Sequence, residues 1–490
     1  MTTSLTFSKN YASYTSRLRQ WRKVRDCIEG EDAVKDAGKL YLPQPGGQST
    51  DQYNGYKERA AFYGVAERTL RGLSGMVFRN DPTLELPERL EPMREALTTE
   101  GYSFDTLIAE VVREVLSTGR YGILPDFAPE ADANAVPYFA TYFADDIADW
   151  ETQLHGAKVV LTKVLLRERA FEQGTEENEE RYRELCLDDG VYTQRVWQAV
   201  VEKSKDDGTG SRRFALIEET VPSVGGKTLD YIPFVFINPY DLRPEIEKPP
   251  FLDLCNVNLS HYRNSADYEH ALYMTAQPTP WCSGAFNEKN TPSSIGPHSL
   301  WVLPEGGSAG MLEFTGAGIK AQRDAMSDKE DRMAALGARM IVEGRSRNEA
   351  AETARMRGRG EMSLLVSVVK SVNEAFERLF RRAADWVSSD PDEVVITLNR
   401  DFVETRMEAK ELDSIVKAWQ SGAVSRMTLH ENLQRGEIVP PSRSVEDEMA
   451  MIDEEAFDVS VPETDSIHDD DDGTSEADRV AADEDVTTDE

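Results

Sequence analysis

The stretch Glu330–Glu361, EDRMAALGARMIVEGRSRNEAAETARMRGRGE, decides how the rest of the chain is to be read. It opens as a helix and resumes as one. Between Met340 and Glu349 it holds Glu343, Gly344, Arg345, Ser346, Arg347 and Asn348, a small polar loop rich in arginine. From Arg339 to Arg359 there are six arginines against three glutamates, a local charge of +3 in a chain of net charge −34. A helix that breaks at a basic loop inside so acidic a protein needs a reason.

The helix leading into that loop is expected over 319–341. Its apolar positions Ile319, Met326, Met333 and Met340 recur every seven residues, with Leu336 alongside. Most of the remainder is charged, including Lys320, Arg323, Lys329, Glu330, Arg332 and Arg339. So narrow a stripe does not suit the core of a helix's own domain. Periodicity leaves two readings open: helices assembled side by side with polar faces turned to water or to other copies, or an exposed surface helix. Beyond the loop, Leu365, Val368, Val372, Ala375, Leu379, Ala383 and Trp386 mark the packed stripe of a long helix. Upstream, a helix is expected over 251–275, then a Pro/Gly/Ser-rich section, 276–318, with short strands at LWVLP and MLEFT.

Nearer the start, Tyr14, Leu18, Trp21, Val24 and Ile28 trace an amphipathic helix ended by Gly30. YLPQPGGQSTDQY (41–53) reads as a loop, and a helical run follows from Tyr56 to Phe78. A further helix starts at a Ser103 N-cap with Phe104, Leu107, Ile108, Val111 and Val115 on one face. From about 137 to 240 the segments VPYFATYF, AKVVLTKVLLRER, RRFALIEE and YIPFVFINP predict a β-rich layer. VVITLNRDF (394–402) reads as a strand and 405–436 as two helices. The fold class expected is α+β.

At 490 residues and 40% hydrophobic content the chain can build sizeable cores. No stretch reaches the roughly 18 apolar residues that span a bilayer, and MTTSLTFSKNYASY lacks the regions of a signal peptide. The chain reads as soluble and intracellular, with no membrane partner. Cys27, Cys186, Cys255 and Cys282 lie far apart, which favours buried thiols over a disulfide framework or zinc site. Residues 451–490 hold 17 Asp and Glu against Arg479, which gives −16 and leaves −18 for the first 450. The segment 441–490 is expected to be an acidic disordered tail. Such a surface repels DNA in general, so a nucleic-acid contact has to come from a local basic feature.

Catalytic patterns are weak. GGKT (225–228) lacks the first glycine of a phosphate-binding loop, since Val221 stands there, and precedes a strand rather than a helix; it reads as a turn. Gly306–Gly310 fits GxSxG, but extended, glycine-broken sequence follows, so a hairpin loop is expected. His155, His261, His270, His298, His430 and His468 form no pair at metal-ligand spacing. Asp145-Asp146 and Asp188-Asp189 read as solvated surface acids. No enzyme, cofactor or metal is expected.

Several blocks together resemble the portal proteins of tailed bacteriophages, the ring at the head-to-tail connector, over about residues 10–440. They include YLPQP, YKERAAFYGVAERTLRGLSGMVFRNDP, VVREVLSTGRYGILPDF, YIPFVFINP, WVLPEGGSAGMLEF, DRMAALGARMI, ETARMRGRGEMSLLVSVVKSVNEAFERLFRRAADW and SGAVSRMTLHENLQRGEIVP. The resemblance implies a portal fold with wing, stem, clip and crown, in rings usually of twelve subunits around a DNA channel. By order, it implies N-terminal helices and a β-rich wing over 1–250, stem helices at 251–275 and 319–341 and a clip at 276–318. A tunnel loop at 342–348, a long wing helix and strand at 349–404 and crown helices at 405–440 follow. Implied channel residues are Gly344, Arg345, Ser346, Arg347 and Asn348 in the tunnel loop, with Lys320, Arg323, Lys329, Arg332 and Arg339 on the stem wall. Arg345 and Arg347 either face phosphates or pair with Glu343 or Glu349 between subunits. Implied partners are double-stranded DNA, the terminase large subunit, a head-completion or tail adaptor protein, the major capsid protein and scaffold. The expected location is the capsid portal vertex of the virion, with assembly in host cytoplasm. Two other readings stand beside it: a monomeric or dimeric virion adaptor or scaffold, and a nucleotide-dependent enzyme using GGKT or an acidic cluster.

Overall fold

The structure is a computed structural model. It describes residues 5–127, 135–170, 179–203, 210–276, 279–285, 294, 296, 298–312, 317–341, 363–400, 402, 409–435, 438–439 and 443–458. Two compact units divide the chain, Met1–Phe402 and Val403–Glu490. Helix and strand are mixed, as the α+β expectation requires.

In the first unit, α1 (Asn10–Glu29) buries Tyr14, Trp21, Val24 and Cys27, and Gly30 ends it at φ 112°. A short α2 (Glu31–Asp36) follows. The loop expected over 41–53 stops early, because Ser49 and Gln52 form a reciprocal cap that starts α3 (Thr50–Arg59). The helical run expected from Tyr56 to Phe78 is broken between Arg59 and Val65, where α4 (Val65–Val77) begins. The break is held from outside. The Ser265 hydroxyl accepts from the Ala61 N–H at 2.9 Å and donates to its carbonyl at 2.7 Å, so Ala61 keeps partners for both backbone groups outside the helix.

The Ser103 cap is present, with Thr106 N–H donating to its hydroxyl, and α5 (Phe104–Thr118) ends at Gly119 in the left-handed region. Against α5 lies α8 (Leu364–Trp386), which buries the expected stripe of Leu365, Val368, Val372, Ala375, Leu379 and Ala383. Phe104 meets Phe376 and Phe380 edge-on at 5.8 and 6.1 Å. The strand expected over 394–402 shrinks to β14 (Val395–Thr397), because its antiparallel partner β1 (Thr83–Glu85) has only three residues. Past it, the Leu398 N–H turns to the Asn373 side chain on α8.

The β-rich layer is built on two larger sheets. The smaller has the order β11–β2–β3, from β2 (Tyr121–Asp126), β3 (Tyr138–Phe143) and β11 (Val235–Ile237). The larger is an antiparallel meander of β4 (Ile147–His155), β5 (Lys158–Ala170), β6 (Glu179–Asp188), β7 (Val191–Lys203) and β8 (Gly210–Thr220). Strand alternation sends Val164 and Leu166 to one side, with Trp150, Leu185 and Phe234, and Leu165 to the other, with Tyr14, Trp21 and Trp197. Where the sheets meet, Gly122 gives the Phe234 ring room to pass.

The Asp145-Asp146 pair is not a solvated face. Arg25 bridges Glu114 and Asp145, each at 2.6 Å, and Arg167 reaches Asp145 and Asp146 at 3.7 Å. Burial, with Asp145 beside it, lifts the Asp146 carboxyl to about 6. Asp188 is likewise engaged, by Arg195 across the β6–β7 hairpin. Cys27, Cys186 and Cys255 are buried as expected, but Cys282 is exposed.

The second unit carries α9 (Ala409–Gln420), α10 (Arg426–Arg435) and α11 (Val445–Asp458). The first two match the helices expected over 405–436. The third corrects the expectation of a structureless tail from 441. Ser444 and Asp447 cap its start, and Glu446, Asp447 and Glu448 favour a helix N-terminus, an arrangement that acidic composition alone conceals. The rest of that tail, 459–490, lies outside the described residues.

A Cβ at residue 122 would overlap the Phe234 ring and stand 2.8 Å from Ile147 Cδ1. Gly122→Ala is therefore expected to cost about 3 kcal/mol in denaturant unfolding. Gly46→Ala, where nothing lies within 4 Å, should leave the midpoint in place.

Candidate functional site

The segment around the opening stretch forms a paired-helix arm. It runs up α6 (Leu252–Thr275), turns through β12 (Thr279–Ser283) and β13 (Ser308–Leu312), and returns down α7 (Ala317–Ile341). The helices are antiparallel and pinned near mid-length. Lys329 Nζ donates to the Ser260 carbonyl at 3.1 Å, and His261 Nε2 lies 3.1 Å from Glu330 Oε1.

The heptad of α7 is its seam against α6. Ile319, Gln322, Met326, Lys329, Met333, Leu336 and Met340 are all buried or half-buried, the a and d positions of an unbroken 3–4 repeat. The expectation that this helix stays out of the core holds for only part of it. Met333 and Met340 join the main hydrophobic core, and Gly337 lets α7 approach Thr69 on α4 to within 3.3 Å of a would-be Cβ. Above them the packing thins. On α6 no residue after Ala266 is buried, and on α7 none from Gly318 to Arg332 is. Upper α6 is also covered by α3. There Tyr56 donates to Asp267 at 2.6 Å, and the Arg59 guanidinium sits 4.3 Å over the Tyr273 ring.

At the tip, β12 pairs with β13 from Thr279↔Leu312 to Ser283↔Ser308. TPWCS is thus the strand and LWVLP is not, while Met311 and Leu312 of MLEFT lie in β13 and the rest of MLEFT lies outside the described residues. The Trp281 ring lies over its cross-strand neighbour Gly310 and covers the backbone a side chain would otherwise shield. Apolar side chains remain in water here: Leu300 is 87% exposed, Val302 73% and Leu312 56%.

The five basic residues of the expected stem wall do not form one row. Lys320, Arg323, Arg332 and Arg339 are exposed, but Lys329 lies half-buried in the seam. Arg332 and Arg339, seven apart, share one flank of α7, and Arg323 lies on the other. Gly344, Arg345, Ser346, Arg347 and Asn348 lie outside the described residues. Sequence reasoning missed the α3 clamp and the His261–Glu330 pin, because both join residues distant in sequence.

Of the motifs set aside earlier, GGKT is the expected turn, but Ser308, Ala309 and Gly310 of the expected glycine-rich loop belong to β13. Gly225 and Gly226, both at positive φ, turn β9 (Ser223–Val224) into β10 (Lys227–Thr228), so GGKT opens no helix. Ser308 of the GxSxG match starts a hairpin strand and faces the Ser283 hydroxyl at 2.8 Å. His261, His270 and His430 each have a separate partner, namely Glu330, Arg59 and the Arg443 carbonyl. Among the described residues no group of three or more His, Cys, Asp or Glu could hold a metal, and no helix is long and apolar enough to cross a membrane.

Residues 250–387 match a family model described as a domain of unknown function, DUF4055. That range covers the arm and α8 and little else. No curated protein matches the chain. Among solved structures it is similar to a chain of "Neck of native GTA particle computed with C12 symmetry", at 12% identity over 81% of this chain and 98% of that one. The TM-score is 0.36, too low to carry an argument.

His261 offers a test of the arm's mid-length pin. Burial pushes its imidazole below the ordinary value despite Glu330, so the fold favours the neutral ring. The unfolded chain then binds the proton more readily, and stability present above about pH 6.5 is lost as pH falls below it. Between about pH 7 and 5.5 the thermal unfolding midpoint should fall in the wild-type chain relative to that of His261→Gln.

Proposed function

We propose that this chain is a phage portal protein, a subunit of the ring at a capsid vertex through which double-stranded DNA is packaged and ejected. The observation that carries the reading is the arm. A two-helix hairpin whose upper half buries nothing fully is marginal by itself in water, since helices draw most of their stability from tertiary packing. Copies set side by side would cover both flanks of every arm and leave one surface of each facing a common axis.

The resemblance supplies the finer terms: about twelve copies, a terminase large subunit docking at one stage, and head-completion or tail proteins later. The hairpin tip, with Leu300, Val302 and Leu312 in water, is the surface proposed for those partners. The reading contains no catalytic step; the packaging motor is a separate protein. Net charge −34 suits a conduit, because a wall that gripped each phosphate would stall the DNA. Arg345 and Arg347 are proposed as the sparse phosphate contacts, one pair per subunit.

Electron microscopy of the purified protein tests the first claim. Class averages should contain rings with a central hole. Monomers or dimers alone, at every salt and protein concentration and with the partner proteins added, would move the reading to the adaptor or scaffold alternative. Replacing Arg345 and Arg347 together with alanine should leave rings intact and lower packaged DNA at least several-fold. Packaging and retention equal to wild type would remove their assigned role.

A further inference from the structure

The larger sheet carries two exposed apolar features, one toward each of its edges. Beyond Glu151 the β4–β5 hairpin leaves the core, and every residue from Thr152 to Val159 is exposed. Leu154 and Val159 are Cα partners near its tip, a cross-strand apolar pair standing in water at 73% and 70% exposure. Lys158 is the only Lys, Arg, Asp or Glu from 152 to 161, so this finger is basic in a chain of net charge −34.

The second feature is β8, the strand at the opposite edge. The chain closes part of the β4 edge itself, where the Trp150 carbonyl accepts from Asn10 Nδ2 at 2.8 Å and from the Ser8 hydroxyl at 3.3 Å. Among the described residues no strand lies outside β8, and an open edge is a template for another chain. Its register on β7 shifts between Val196 and Trp197, which leaves Ile217 as a bulged residue with none directly opposite. The bulge interrupts the alternation, and Leu216, Ile217 and Val221 are all exposed. Glu218 and Glu219 lie among them. Arg195 holds Glu219 at 2.8 Å, and Glu218 takes a 3.3 Å bond from the Thr220 hydroxyl.

One copy cannot bring the two features together. The row Trp150–Val164–Leu185–Gln194–Thr220 crosses the sheet, with Lys158 well above it and Glu218 below it. Strand spacing and rise then separate Lys158 from Glu218 by about 14 Å across the sheet and roughly 23 Å along it.

We propose that the β4–β5 finger of one copy docks on the β8 edge of the next, seating Leu154 and Val159 against Leu216, Ile217 and Val221, with Lys158 beside Glu218. A second copy is the occupant because the same chain carries both halves, a basic apolar tip and an acidic apolar edge. The two surfaces differ, so the contact is heterologous: each copy gives a finger on one side and receives one on the other. Repetition around a ring closes the set, and in this the inference rests on the portal reading. The contact belongs to the β-rich layer and is separate from the arm.

The test assembles the full chain from equal parts of isotopically heavy and ordinary protein. A carbodiimide then joins lysine amines to carboxylates they touch. Mass spectrometry should find Lys158 joined to Glu218 or Glu219, with mixed-isotope pairs among the products. Leu154→Asp combined with Val159→Asp alters side chains already in water, so the thermal midpoint should hold. The same variant should raise the concentration needed for ring formation at least about tenfold. Lys158→Glu should weaken assembly, and Glu218→Lys added to it should restore rings. If the double aspartate variant forms rings at the wild-type concentration and wild-type rings carry no Lys158 link, the finger is overturned and the portal reading stands. Links confined to single-isotope pairs would overturn it as well. Monomers alone under every condition, with no link, would overturn both.

Discussion

The seam between α6 and α7 is the constraint on which the rest of the first unit depends. Its lower end is anchored by Met333 and Met340 in the main core, where α4 and α8 also pack. That anchoring forces other choices. Gly337 has to be small for α7 to pass Thr69 on α4. Ser265 on α6 has to replace the backbone partners that Ala61 gives up where α3 ends, which in turn places Tyr56 and Arg59 against Asp267 and Tyr273 of upper α6. Apart from that clamp on α6, the upper end of the seam is only half-buried, and the tip hairpin above it leaves Leu300 and Val302 in water.

This gradient from buried root to half-covered tip is what links packing to function. A core helix pays its ordering entropy through burial. The upper arm orders Ile319, Gln322 and Met326 for partial burial only, and under the portal proposal neighbouring copies would supply the remaining cover. Charge fits the same picture. Arg323 lies on one flank of α7 and Arg332 and Arg339 on the other, with Asp324, Asp328 and Asp331 on the outer face. Mixed flanks allow like surfaces to sit side by side without the repulsion that a chain of −34 would otherwise impose.

Elements with strong periodicity or clear caps were legible in the sequence. α1, α5, α7 and α8 fall where their apolar spacing and the Ser103 cap put them, and Gly225-Gly226 makes the turn its composition implies. Elements fixed by distant partners were not. The break between α3 and α4 depends on Ser265, some two hundred positions away. β12 is visible only once Trp281 is seen covering Gly310, and LWVLP looked like a strand because its apolar residues belong to an exposed tip instead. α11 was hidden by acidic composition, although Ser444 and Asp447 formed a readable cap. At the site, spacing identified the seven-residue stripe but not its d positions Gln322 and Lys329, whose polar character disguised a seam.

Hydrogen–deuterium exchange along the arm tests the central claim most directly. The comparison is between assembled particles and single subunits separated by sedimentation, over upper α6 (267–275), upper α7 (318–332) and the core helix α8. The account predicts slow exchange in the upper arm only in the assembled form, with α8 protected in both. Equal exchange of the upper arm in the two forms would contradict it, because neighbouring copies would then not be what completes the seam.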